Sequence, residues 1–163
     1  MILSKETIYK KDLSNKKIKV TREFEASVDR VWNAWTKPEI LDQWWAPKPW
    51  KAETKSMDLR DGGKWLYSMN GPDKEVHWCR VDYKTIEAPR NFTGDDYFTD
   101  ESGKMKTDMP VMHWNVNFQQ EGDATKVTVT INFDKPEDLD AIVKMGFEEG
   151  FTSALTNLDA MLA

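Results

Sequence analysis

The stretch 134-DKPEDLDAIVKMGFEEGFTSALTNLDAMLA-163 carries the longest helical pattern in the chain. Its apolar residues recur close to the period of an α-helix, at Leu139, Val143, Phe147, Phe151, Ala154, Leu158 and Met161. Asp134 and Glu137 have the spacing of a capping box, and Pro136 falls in the first turn, where a missing N–H costs little. The pattern predicts one long helix from Asp134 to Ala163, against which the rest of the chain packs.

Two glycines, Gly146 and Gly150, interrupt this predicted helix one turn apart, beside its apolar face. Each costs about 1 kcal/mol relative to alanine in a helix interior, so the fold must gain something from their presence. Either the backbone packs closely on a sheet at these positions, or the missing side chains leave room for a ligand. The bulk of Phe147 and Phe151 beside them favours the second explanation.

The residues before this helix alternate between strand and helix patterns. Ile18, Val20 and Phe24 alternate with polar residues and predict a strand. Two short helices follow, which end before Pro38 and Pro47 because the residue that precedes a proline avoids the helical region. Six more strands are then predicted, separated by short turns, so the order is β-αα-β6-α with about seven strands. Short turns between consecutive strands imply an antiparallel sheet.

Length and composition indicate one domain. With 163 residues, of which 39% are hydrophobic, the chain is long enough to bury a core. We expect residues 17–163 to form a single domain. Residues 1–16 are polar and rich in lysine, and we expect them to be an N-terminal arm, either flexible or added to the sheet as an edge strand.

Charge and cysteine usage limit the partners and the compartment. A net charge of −5 argues against binding to a nucleic-acid backbone. Cys79 is the single cysteine, which excludes an internal disulfide and is typical of a reducing compartment. No apolar run approaches the roughly 18 residues of a membrane span. We therefore expect a cytoplasmic protein with no nucleic-acid partner and no membrane insertion, and a homodimer is left open.

Five local strings resemble a known family. They are Val31-Trp32 with Trp35-Thr36-Lys37-Pro38-Glu39, Trp44-Trp45-Ala46-Pro47, Asp58-Leu59-Arg60-Asp61-Gly62-Gly63-Lys64-Trp65, Tyr83 and Ile86 before Ala88-Pro89-Arg90, and Gly150-Phe151 through Leu155 and Leu158. In this order they resemble the START and Bet v 1-like (SRPBCC) superfamily, and within it the homologues of the activator of the heat-shock chaperone ATPase.

This resemblance implies an α+β helix-grip fold, in which a curved antiparallel sheet wraps around the long C-terminal helix with a cavity between them. It does not imply one activity, because members include lipid carriers, hormone receptors, enzymes and co-chaperones. The sequence departs from the family at Val81, where relatives often have glycine, and we expect the larger side chain to narrow the cavity.

No catalytic or metal site emerges from the residue types. His77 and Cys79 are neighbours on one strand face, but two ligands do not make a zinc site, and their spacing holds the side chains parallel. Asp58 and Arg60 are expected to form a buried structural ion pair. Paired carboxylates such as Asp95-Asp96 lie in hydrophilic sequence, where nothing suggests burial. We expect no metal, no cofactor and no catalytic residue.

The strongest indication of a ligand site is the high content of aromatic residues, which includes eight tryptophans in 163 residues. Ligand sites are mostly apolar with a few polar groups, and ten residues are predicted to line such a site: Trp65, Tyr67, Met69, His77, Cys79, Trp114, Phe118, Phe147, Gly150 and Phe151. The alternative for each residue is a place in a dense core.

Three functions are compatible with these sequence features. The preferred one is non-catalytic binding of a small hydrophobic or aromatic molecule in the cavity, as a carrier or a sensor. A protein-interaction module related to chaperone ATPase activators would instead expose an aromatic patch of Trp44, Trp45 and Trp50. A cyclase- or hydrolase-like enzyme would need a pair of buried groups with shifted pKa values in the cavity.

Overall fold

The computed structural model describes residues 6–163, whose strands and helices follow one another in a simple order. They are β1 (Ile8–Asp12), β2 (Lys17–Phe24), α1 (Val28–Thr36), α2 (Pro38–Trp44), β3 (Lys51–Met57), β4 (Lys64–Asn70), β5 (Val76–Glu87), β6 (Asn91–Thr99), β7 (Met112–Glu121), β8 (Ala124–Asn132), α3 (Pro136–Lys144) and α4 (Phe147–Leu162). Within residues 6–163 the eight strands form one sheet in the order β1-β2-β8-β7-β6-β5-β4-β3, and every neighbouring pair is antiparallel. The predicted helix-grip α+β fold is confirmed.

The eighth strand comes from the predicted N-terminal arm. β1 pairs with β2 from Ile8 opposite Thr21 to Asp12 opposite Lys17, so the arm contains the edge strand that was one of its two predicted forms. Residues 1–5 of the predicted arm lie outside the described residues. The Tyr9 hydroxyl donates to the Glu148 carbonyl oxygen (3.0 Å), which ties β1 to α4. The division into an arm and a domain of residues 17–163 stays a prediction.

The prediction of one long C-terminal helix is wrong, because the segment forms two helices. α3 ends at Lys144, and Gly146 has φ = +88°, in the left-handed region that glycine adopts without steric cost. A glycine in this conformation just beyond the last helical turn is a common helix terminator. The predicted capping box is also absent. Lys135 is the N-cap of α3, and the Asp134 carboxylate is hydrogen-bonded to His113 Nε2 (2.9 Å).

One end of the interior is filled by aromatic side chains from α1 and α2. The Ser27 hydroxyl caps α1 by accepting from the Arg30 N–H, and the helix then buries Trp32 and Trp35. Trp35 packs edge-on against Trp44 of α2 with 5.0 Å between ring centroids, and the Trp44 indole donates to the Ala34 carbonyl oxygen (2.9 Å). The same cluster fixes the start of the loop after α2, because Trp45 packs edge-on against Trp35 (5.7 Å) and Trp44 (5.3 Å).

None of the helices within residues 6–163 has both the length and the apolar character needed to cross a membrane.

Candidate functional site

A cavity of about 240 Å³ lies between the inner face of β4–β7 and the helices α3 and α4, and it is partly open to solvent. Its wall is mainly apolar, with aromatic side chains from the sheet, from α4 and from the loop after α2. The lining residues are Trp45, Pro47, Tyr67, Met69, Cys79, Asp96, Tyr97, Phe98, Met112, Trp114, Ile142, Met145, Gly146, Phe147, Gly150 and Phe151. The site therefore has the composition that small-molecule pockets usually show.

Seven of the ten predicted site residues line this cavity, namely Tyr67, Met69, Cys79, Trp114, Phe147, Gly150 and Phe151. The structure places the other three outside it. Trp65 stacks on Tyr67 at 4.0 Å and faces a smaller void, while Phe118 packs edge-on against Trp32 at 5.2 Å in the dense part of the core. His77 lies on the right strand but at its exposed end, where its ring stacks on Trp50.

The aromatic rings of the wall hold one another in place. Phe151 is central: its ring packs edge-on against Trp114 at 5.6 Å and Trp45 at 6.2 Å, and it stacks on Phe147 at 5.3 Å. The Trp45 indole also donates to the Tyr67 hydroxyl oxygen (3.0 Å). Since each ring is fixed by at least one other group, the cavity is preformed rather than assembled by a ligand.

Asp96 is the charged side chain in the wall, and the sequence reasoning missed it. It lies on β6 opposite Val81 and is only 6% exposed. Among residues 6–163 no side chain forms a hydrogen bond or an ion pair with its carboxylate, and burial raises the pKa of Asp96 to about 7. Both Asp95 and Asp96 were expected to lie in a hydrophilic context, with no sign of burial. The signal for the burial of Asp96 was the alternation along β6, because Phe92, Gly94 and Phe98 lie on the same face of the strand as Asp96.

The other titratable groups of the wall, Tyr67, Cys79 and Tyr97, all have raised pKa values and are neutral at pH 7. Burial raises the pKa of the Tyr67 hydroxyl well above its ordinary value, and the nearby Asp96 adds to the effect. Burial likewise raises the pKa of the Cys79 thiol, again with a contribution from Asp96. A protonated thiol is a weak nucleophile, so Cys79 acts as a small apolar wall residue at neutral pH.

Comparison with known proteins places the chain in a family. A model of the family described as activator of Hsp90 ATPase homolog 1-like protein matches residues 25–163. The chain belongs to this family. No curated protein is significantly similar to it in sequence.

Solved structures of similar proteins share the fold over nearly the whole chain. A crystal structure of a protein from Mycobacterium smegmatis is 31% identical with a TM-score of 0.89, covering 97% of this chain and 98% of that one. A solution structure from Arthrobacter aurescens is 34% identical with a TM-score of 0.90, covering 95% and 90%. Another, from Staphylococcus epidermidis, is 30% identical with a TM-score of 0.83, covering 94% and 92%.

Val81, whose side chain was expected to narrow the cavity, is buried beside the smaller void rather than in the main cavity. Its Cγ1 atom lies 3.1 Å from the point where a Cβ on Gly94 would stand. The larger side chain at this position therefore narrows the space next to Gly94 and leaves the main cavity to be shaped by other residues.

Two further expectations about side chains are corrected by the structure. Asp58 and Arg60 do form an ion pair (2.6 Å), but both side chains are largely exposed, because this segment lies beyond the end of β3 rather than in the sheet. The aromatic patch of Trp44, Trp45 and Trp50 is not on the surface as one unit, since Trp44 is fully buried and Trp45 lines the cavity.

Proposed function

We propose that the protein binds a small hydrophobic or aromatic molecule in the cavity between the sheet and α3–α4, as a non-catalytic carrier or sensor. The observation that carries this proposal is the preformed cavity itself, which has aromatic side chains on three sides and space inside. An apolar cavity of about 150 Å³ accommodates benzene. The 240 Å³ here therefore suits a molecule of one or two fused rings.

Gly150 supports this proposal because its position keeps the space open. A Cβ atom added there would meet only the Pro47 side chain, at 3.8 Å, which is ordinary van der Waals contact. Close packing on the sheet therefore does not explain this glycine, whereas vacated room for a ligand does. Gly146 has a different cause, since its positive φ ends α3 and sets the start of α4.

The protonation states of the wall also favour binding over covalent chemistry. Tyr67 and Cys79 are both neutral at physiological pH, so neither is an activated nucleophile. The apolar part of a ligand would instead gain binding free energy by contact with the aromatic rings, about 25 cal/mol for each Å² of apolar surface removed from water.

Enzymatic acid–base chemistry is the second candidate function, and Asp96 is the observation in its favour. A carboxyl group with a pKa of about 7 is suited to proton transfer at neutral pH. The Tyr67 hydroxyl accepts from Trp45 and also interacts with the Cys79 thiol, so it is a second protonated group within the same wall. A co-chaperone role, suggested by the family description, lacks the exposed aromatic patch that we expected for it.

The test is to identify the bound molecule and to fill the cavity. Native mass spectrometry of the purified protein would detect a co-purifying ligand, and titration with 2-naphthol would measure the affinity for a two-ring probe. Gly150→Leu, which directs a large side chain to the open side of α4, should weaken binding of 2-naphthol by at least about tenfold. Ala160→Leu, at an exposed position of the same helix, is the matched control and should leave the affinity unchanged. Equal affinities of the two variants, or no binding by the wild type, would contradict the proposal.

A further inference from the structure

The buried carboxylate of Asp96 has no hydrogen-bond or ion-pair partner among residues 6–163. The titratable groups that interact with it are Tyr67 on β4 and Cys79 and Tyr83 on β5, and none of them is a cation. Lys106 acts electrostatically on Cys79, but no lysine, arginine or histidine of residues 6–163 is paired with Asp96 itself. Buried carboxylates are normally paired or hydrogen-bonded, because an isolated charge in an apolar environment is costly.

The open space next to this carboxylate is the cavity. Asp96 lines both the main cavity and the smaller void beside it. The partner that the described residues do not supply can therefore come from a bound molecule. A ligand that carries a positive charge would neutralise Asp96, whereas a ligand that carries a negative charge would face an unfavourable like charge in a medium that screens poorly.

The aromatic rings around the cavity suit the same kind of ligand. Trp45, Trp114, Phe147 and Phe151 surround the space next to the carboxylate. The faces of aromatic rings attract ammonium groups, and this attraction is largest when the cation is removed from water. The carboxylate can pair with a cationic group of a ligand while the aromatic rings contact its apolar part, so the two features together suit a ligand that has both.

We propose that the cavity selects amphiphilic amines: molecules with a ring-sized apolar body and a protonated amino group that pairs with Asp96. This inference rests on the proposed function and narrows its ligand class. Neutral molecules of the same shape should bind more weakly, because they leave the carboxylate without a countercharge. Anionic molecules of the same shape should bind most weakly of the three.

Three indole compounds of nearly equal size test the charge preference. Tryptamine is a cation at pH 7.5, 3-ethylindole is neutral and indole-3-propionate is an anion. Isothermal titration calorimetry should give a dissociation constant for tryptamine at least about tenfold below that for 3-ethylindole, because a desolvated charge pair is added. Binding of indole-3-propionate should be weaker than that of 3-ethylindole.

Two variants assign the preference to Asp96. Asp96→Asn keeps the shape of the side chain and should remove the preference for tryptamine while leaving the affinity for 3-ethylindole within about threefold. Glu149→Gln is the matched control: it also removes one negative charge, from an exposed side chain that lies near Gly146 at the cavity wall. This control should retain the full preference for tryptamine.

The outcomes separate this inference from the function on which it rests. If 3-ethylindole binds and tryptamine binds no better, the amine preference is refuted and the proposed cavity function stands. If Asp96→Asn retains the preference, or if Glu149→Gln loses it, the assignment to Asp96 is refuted. If neither compound binds the wild-type protein, both the inference and the proposed function for ring-sized ligands fail.

Discussion

Replacement of Gly150 by alanine should stabilise the protein and at the same time weaken ligand binding. Gly150 lies in the first turns of α4, where its amide donates to the Gly146 carbonyl oxygen (3.0 Å), so its backbone is helical. Alanine is the best helix former, and glycine in a helix interior costs about 0.5–1 kcal/mol relative to it.

The structure sets the size of the expected change. The added methyl group would meet the Pro47 side chain at 3.8 Å and nothing closer, so no overpacking opposes the gain in helix propensity. The free energy of unfolding should rise by about 0.5–1 kcal/mol, and the midpoint of thermal unfolding by about 1–4 °C for a domain of this size.

Guanidinium titrations followed by tryptophan fluorescence would measure the stability, and titration with 2-naphthol would measure the affinity. Gly146→Ala is the contrasting variant. Its backbone has φ = +88°, so alanine there is strained and should cost about 1–2 kcal/mol even though its position is also open. Two glycine-to-alanine changes one turn apart should therefore have opposite signs.

A loss of about 1–3 kcal/mol in Gly150→Ala with unchanged probe binding would refute this reasoning, because that is the cost of inserting a methyl group into a full interior. The glycine would then be a packing requirement, and the cavity would have to be smaller than its walls indicate.

Three further predictions concern titratable groups. Burial raises the pKa of Asp96 from 3.8 to about 7, because the charged form is disfavoured in the folded state. The contribution of Asp96 to the free energy of unfolding is therefore fully present below pH 3.8 and is lost as the pH rises through 7. Asp96→Asn should then exceed the wild type in unfolding free energy by an amount that grows over this range, to on the order of 4 kcal/mol; a constant difference would contradict it. Because the thiol of Cys79 is buried and protonated, iodoacetamide should modify the native protein at least about 100-fold more slowly than the unfolded chain. Partial burial lowers the pKa of His113, but hydrogen bonds to Asp95 and Asp134 outweigh it and raise the pKa above 6.5. The stability advantage of the wild type over His113→Gln should thus be full below pH 6.5 and should decline as the pH rises through the raised pKa, as urea titrations at several pH values would show.

The fold was predictable because it is encoded in local patterns. Alternation gave the strands from Ile18 onwards, and prolines marked the ends of α1 and α2. The break between α3 and α4 was not predictable from periodicity, because Val143, Phe147 and Phe151 keep a spacing of four residues across it. Gly146 and Gly150 look equivalent in the sequence, and only the backbone angle at Gly146 distinguishes a helix terminator from an open position.

The site was predictable only in part, because empty volume is not a property of single residues. Trp65, Phe118 and Phe151 all belong to the same interior, yet only Phe151 borders the cavity. Which aromatic side chains fill the interior and which border the cavity depends on where α1 places Trp32 and where the loop after α2 places Trp45. The residue pattern of a single strand contains no information about either position.

A comparison with Arg22, a second buried charged residue, supports a role for Asp96 in ligand binding. Arg22 is equally buried at 6% exposure, but its guanidinium donates to the Thr7 hydroxyl (2.8 Å) and is ion-paired with Asp159 (3.4 Å). These contacts tie β2 to the segment before β1 and to α4, and they compensate the charge of Arg22 within the fold, although its buried Nε has no hydrogen-bond partner among the described residues. Asp96 makes no such contact in the described chain and lowers stability at neutral pH. A group that costs the fold stability and borders a preformed cavity is better explained by what enters the cavity than by the structure around it.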